Sequence, residues 1–203
     1  MKSRIFLWLI LVFFTAFCLL SVETKITQQD LAEKTLRLHV VANSDSEEDQ
    51  AQKLRVRDAV LGKVGDLTAG CADAKAAGEL LRTHLDEIQA SALEQLAAEG
   101  SDYSVEISLG REVFQTRYYD TFTLPAGTYP ALRVSIGAAQ GKNWWCVVFP
   151  SLCTAATAEM VEEYAEVGGF DPEETDLITG GEEEYRLRFK SYEWLQSLLD
   201  WLS

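Results

Sequence analysis

Few residues of this chain combine the type and spacing that chemistry needs, and each candidate group departs from its pattern in a specific way. Gly137 to Asn143, GAAQGKN, sets a lysine behind two glycines as a phosphate-binding loop does. Only three residues separate those glycines, Asn143 stands where Ser or Thr would reach a magnesium ion, and a strand pattern follows where a helix should. Without a helix N-terminus the phosphate lacks its main donors, so the segment reads as a glycine-containing hairpin turn. His39 lies in a strand pattern and His84 in a helix pattern, and a nucleophilic triad would require His39 to meet Ser44 or Asp45 in space. No G-x-S-x-G, H-E-x-x-H or paired C-x-x-C accompanies either histidine. The carboxylates of NSDSEED, from Asn43, invite a calcium loop, but Glu48 and Leu54 occupy the positions that need Gly and Glu. Helix capping accounts for them without a metal, and neither a metal nor a cofactor is expected.

Gly141 to Cys153, GKNWWCVVFPSLC, concentrates Trp144, Trp145, Cys146 and Cys153, with Lys142 and the thiols as its only ionisable groups. That composition suits a surface or a core better than a catalytic pocket. Adjacent residues on a strand face opposite ways, so one indole should enter the core while the other turns a face to solvent. The alternative is burial of both, one on each side of a covered sheet. Pro150 can turn the chain between Cys146 and Cys153, which makes a local disulfide sterically feasible in an oxidising space. Reduced, buried thiols are the competing reading, since Cys71 and Cys18 leave no framework that prefers the bridge.

The elements that must position these residues follow from periodicity. The 203 residues are 47% hydrophobic and 25% charged, an ordinary globular composition that points to one folded domain. Lys and Arg number 18 against 32 Asp and Glu, a net charge of −14 that disfavours nucleic-acid binding through a basic surface. Leu36 to Ala42, LRLHVVA, alternates as a half-buried strand. Ser46 followed by Asp49 resembles a capping box, and a helix is predicted from 47 to 64, ended by Gly65. A second helix is predicted from 72 to 99, with Leu81, Leu85, Ile88, Ala92 and Leu96 on one face. The period then changes to two, giving strands at 103–109, 112–118, 131–137 and 144–149, with LPAGTYP as a turn-rich connection. Two helices followed by strands imply an α+β fold, a mixed and mostly antiparallel sheet packed by two long helices and a C-terminal helix.

At the N-terminus, Ile5 to Leu20 follows Lys2 and Arg4 with no charge and Thr15 as its only polar residue. Its sixteen residues fall between a signal-peptide core and a membrane-spanning helix, and SVETK beyond it offers no A-x-A site. Cleaved signal and uncleaved anchor both fit, and the positive start places the body on the exported side. At the other end, Glu159 to Glu184 holds eleven acidic residues and no Lys or Arg, which reads as a solvated helix and linker. YRLRFK then alternates as a strand, and SYEWLQSLLDWLS sets Trp194, Leu195, Leu198 and Leu202 at helical spacing. The resulting organisation is a signal or anchor over 1–22, a main domain over 23–153, an acidic arm over 154–184, and a docking strand and helix over 185–203.

Two long stretches carry a further likeness. RLHVVANSDSEEDQAQKLRVRDAVL, Arg37 to Leu61, and LPAGTYPALRVSIGAAQGKNWWCVVFPSLC, Leu124 to Cys153, resemble the two signature blocks of the stage II sporulation protein R family. The acidic segment after Cys153 matches no family motif. The resemblance implies an intercellular signalling protein of endospore-forming bacteria, exported from the forespore into the intermembrane space. There it would activate a membrane-embedded aspartic protease that processes the mother-cell sigma factor precursor. It implies a protease-activating ligand and not an enzyme, with that protease as partner and the membrane engaged through the N-terminal apolar segment. A cell-wall hydrolase acting in the same space is the rival reading, which would need paired carboxylates at a cleft or a metal cluster. Asn43 and Asp45, in a turn held between strand and helix, together with His39, Trp144 and Trp145, are the expected partner-binding residues.

Overall fold

In the computed structural model, residues 8, 11, 12, 15 and 27–180 are described. The apolar segment 5–20, apart from those isolated positions, and the C-terminal strand and helix expected at 185–203 lie outside them. Among the described residues, no helix is long and apolar enough to cross a membrane.

A helical segment at 27–33 (α1) leads into strand β1, Leu36–Val41. Helices α2 (Glu47–Thr68), α3 (Ala74–Thr83) and α4 (Leu85–Ala98) follow, then β2 (Val105–Phe114). The short strands β3 (Arg117–Tyr118) and β4 (Thr123–Leu124) form a separate two-stranded ribbon. Strands β5 (Gly127–Ile136) and β6 (Asn143–Phe149), a 3-10 turn at Leu152–Thr154, and helices α5 (Ala158–Val167) and α6 (Pro172–Thr179) complete the described chain. The main sheet has the order β2-β5-β1-β6, with β1 parallel to β5 and both other pairs antiparallel, so the fold is α+β around a mixed sheet.

Alternation along β1 assigns the two faces. Leu36, Leu38 and Val40 join Val56, Val60 and Val64 of α2, Leu81 of α3 and Ile88, Ala92 and Leu96 of α4 in the main core. These helical residues recur at three- and four-residue spacing, the stripe that buries a helix against a sheet. Arg37 and His39 point the other way and are buried as well, so β1 is covered on both faces and not half-buried as its alternation predicts. Charged residues can alternate into a covered layer when aromatic rings and hydrogen bonds receive them. Arg37 does so: its guanidinium lies 4.0 Å from the Phe114 ring centroid and 4.9 Å from that of Tyr129, and donates to the Tyr119 hydroxyl at 2.9 Å.

Four boundaries differ from the sequence reading. Helix α2 runs through Gly65 to Thr68, because a glycine inside an otherwise stable helix costs only about 1 kcal/mol and its side opens onto free space. The helix expected over 72–99 divides at His84, whose φ of −121° leaves the helical region while Asp73 caps α3 through the Ala76 amide. Strand β2 passes through Gly110 to Phe114 and merges two expected strands, its ladder with β5 unbroken from Val105 to Phe114. The described part of the acidic segment, 154–180, is folded and not a solvated arm: Val161 and Ala165 of α5, Phe170, and Leu177 and Ile178 of α6 are buried with Leu31, Phe122, Leu124, Val147 and Leu152. Its described carboxylates other than the buried Glu174 occupy the outer faces, while an apolar residue every three or four positions supplies a second core.

Candidate functional site

The two long blocks meet at one end of the sheet. The β1–α2 turn begins at Asn43, and the β5–β6 turn, Gly137 to Lys142, closes over it. Asn43 accepts from the Ala138 amide at 2.9 Å and donates to Asp49 at 2.8 Å. Ser44 donates to the same Asp49 oxygen at 2.5 Å, and Ser46 caps α2 through the Asp49 amide at 3.2 Å. The carboxylate of Asp45 accepts from the Lys142 amide at 2.7 Å. Lys53, one turn further along α2, reaches the Lys142 carbonyl at 3.0 Å. Gly141 packs so closely that a Cβ there would overlap the Ser44 carbonyl, and Gly137 has a φ of +56° that side-chain-bearing residues rarely adopt. Ser44 and then Asn43, by hydrogen bonding, hold the Asp49 carboxyl below the usual carboxylate range.

Asn43 and Asp45, expected at a partner surface, thus both carry local hydrogen bonds as well. Asn43 is half-buried and joins three segments, whereas Asp45 is exposed and makes one bond to a backbone amide.

His39, Trp144 and Trp145 lie one strand inward. Register pairs His39 with Trp145, Val40 with Trp144 and Val41 with Asn143. The two indoles face opposite sides of β6, as alternation requires, and both are half-buried. Neither sequence alternative describes them fully, because each ring is covered by an arginine. Arg57 of α2 sits 4.3 Å from the Trp144 centroid, and Arg117 of β3 sits 3.6 Å from that of Trp145. The aliphatic stem of arginine covers apolar surface while its charge remains near water. The Trp144 indole nitrogen is buried without a hydrogen-bond partner.

His39 is buried, stacked on Trp145, and bonded at both ring nitrogens: Nδ1 to Glu112 Oε2 at 2.7 Å and Nε2 to Asn143 Oδ1 at 2.8 Å. Arg133 approaches the same pair, 3.3 Å from His39 Nδ1 and 3.4 Å from Glu112. A histidine bonded at both nitrogens links strands and offers no free nitrogen as a base in this arrangement. Nothing in residue type or spacing alone marks Glu112, Arg133, Arg57 or Arg117 as part of this site. Arg57 comes closest, since it follows Lys53 by one helical turn on the face toward the β5–β6 turn.

Cys146 and Cys153 form a disulfide with Cα atoms 5.9 Å apart, and the Val147 amide donates to Cys153 Sγ at 2.8 Å. The bridge ties β6 to the 3-10 turn that leads toward α5. Cys71 is free and half-buried.

A family model described as stage II sporulation protein R (spore_II_R) matches residues 32–159. The chain is 36% identical over 123 residues to "Stage II sporulation protein R" of Bacillus subtilis (strain 168). That match covers 61% of this chain and 55% of the relative, so the chain spans about half the length of the curated relative it matches. No solved structure matches.

Proposed function

The chain belongs to the stage II sporulation protein R family, and from that premise we propose that it is an exported signalling protein that activates a membrane-embedded aspartic protease. The protease would then process the mother-cell sigma factor precursor, with the chain released or held from the forespore side in the intermembrane space. The observation that carries the reading is the β6 edge of the sheet, where the turn that Asp45 holds at Lys142 leads into Trp144 on one face and Trp145, beside a doubly bonded His39, on the other. Half-buried tryptophans held by arginines present rigid aromatic anchors with little entropy left to lose on docking, a pattern common at binding hot spots.

An activator works only by binding the active state of its receptor more tightly than the resting state. The locked turn and the disulfide favour such selective binding, because a rigid surface does not adapt to both states. The experiment is to co-produce the chain, the membrane protease and the sigma precursor in a non-sporulating host and measure precursor cleavage. Cleavage that requires the chain supports the reading; cleavage that is the same when the chain is omitted contradicts it.

A further inference from the structure

Three carboxylates converge where the first and last described helices meet, away from the tryptophan corner. One oxygen from each of Asp30, Asp171 and Glu174 lies within 4.8 Å of the others. Asp171 and Glu174 form the capping box of α6: the Glu174 amide donates to Asp171 Oδ1 at 2.8 Å, and the Asp171 amide to Glu174 Oε2 at 2.8 Å. Lys34 bridges the group, its ammonium 2.7 Å from Asp30 Oδ2 and 2.6 Å from Glu174 Oε2.

Capping explains Asp171 and the Oε2 oxygen of Glu174. It explains neither the approach of Asp30 nor the remaining oxygen of Glu174. That residue is 2% exposed, and its Oε1 is buried with no hydrogen-bond partner. Buried carboxylate oxygens almost always have partners, so an idle one in a carboxylate already aimed into an acidic cluster marks a missing donor or cation. One ammonium against three carboxylates also leaves excess negative charge. Lys34 holds the Asp30 carboxyl down, whereas burial pushes that of Glu174 up.

The geometry points to a divalent-cation site of the calcium class formed by Asp30, Asp171 and Glu174, with Lys34 standing in the cation's place when no ion is bound. The donors are all carboxylate oxygens, which select hard cations. Asp30 and Asp171 are exposed, so water can complete the shell. Donors brought from two distant segments suit the irregular, many-oxygen shell of calcium better than the strict octahedron of magnesium. The Lys34 side chain is 25% exposed and can turn to solvent when the ion enters. Bound calcium would clamp α1 to α6. All three ligands lie outside residues 32–159, so the site belongs to this chain's flanking helices and not to the matched region.

The test is calorimetric titration of the full chain, purified in detergent micelles, with calcium chloride and separately with magnesium chloride. One saturating calcium site with a Kd of about 10⁻⁴ to 10⁻³ M is expected, the range of weak extracellular sites. Asp30→Asn should weaken it by about tenfold, and Lys34→Met should tighten it by about tenfold because the competing ammonium is gone. A plain ion pair would behave oppositely: Lys34→Met would lower the melting temperature and give no calcium response. The site is refuted if the natural sequence shows no saturable binding up to about 10 mM calcium, or if Asp30→Asn binds as well as the natural sequence, which would indicate diffuse attraction to an acidic surface. Magnesium binding as tightly as calcium would overturn the calcium assignment.

Discussion

The imidazole of His39 lies nearly flat against the indole of Trp145, with ring centroids 5.7 Å apart and planes 16° from parallel. Because the two residues are register partners on adjacent strands, the stack fixes the Trp145 ring from the β1 side while Arg117 covers it at 3.6 Å. The indole thus contacts both an imidazole and a guanidinium, and its orientation is set by the fold.

Arg117→Ala removes the cation but leaves the stack. A cation–π contact at a partly exposed site is worth about 0.5–1 kcal/mol, so stability by urea denaturation should fall by no more than about 1 kcal/mol. Precursor cleavage should fall clearly more than that small loss explains. Trp145→Ala should cost more, about 2–3 kcal/mol, since a half-buried aromatic is truncated beneath two partners. Equal stability losses in the two variants would show that Arg117 and Trp145 act as one structural unit and not as a presented surface.

Asn43 and Asp45 should separate. Asn43→Ala strips partners from Asp49 and from the Ala138 amide and should cost about 1–3 kcal/mol. Asp45→Ala frees one amide at an exposed position, where water replaces the carboxylate, and should stay within about 1 kcal/mol of the natural sequence. If Asp45 touches the protease, Asp45→Ala lowers cleavage without moving the denaturation midpoint.

Acid stability tests the Asp49 network. Ser44 and Asn43 lower the Asp49 pKa in the folded state, so its contribution is complete above the unfolded value of about 3.9. It is lost as pH falls from there through the folded value. Ser44→Ala should therefore narrow the stability gap between pH 5 and the acid limb below about pH 4. A difference between the two proteins that stays constant across that range would contradict the assignment.

Removing the Cys146–Cys153 bridge should cost about 2 kcal/mol, the loop-entropy value for so short a closure. Cys153→Ser should lower the denaturation midpoint accordingly, and mass spectrometry of the unreduced natural chain should find these two cysteines linked and Cys71 alkylatable.

Much of the fold was legible because its signals are local. Period-two alternation located β1, β2, β5 and β6, and Ser46 announced the start of α2 at the position where it caps. What escaped depends on partners distant in sequence. Nothing near Arg37 says that Phe114 and Tyr129 will receive its guanidinium, so β1 read as half-exposed. The apolar positions of 158–179 were visible, yet high acidity concealed that Val161, Ala165 and Leu177 pack with Val147 of β6 and Leu124 of β4. At the candidate site, the tryptophans and the turn could be read from type and position. Their arginine covers, the Glu112–His39–Asn143 bridge and the obligations of Asn43 arise only when β1, β2, α2 and β6 assemble.

The most direct measurement reconstitutes the membrane protease in proteoliposomes with the sigma factor precursor and adds the purified chain in increasing amounts. Cleavage of the precursor should rise with the chain and saturate, should require the protease, and should saturate at higher chain concentration for Arg117→Ala and Asp45→Ala. Cleavage independent of the chain would contradict the proposed activation, and hydrolysis of the precursor or of purified cell-wall material by the chain alone would contradict the proposed role as a ligand.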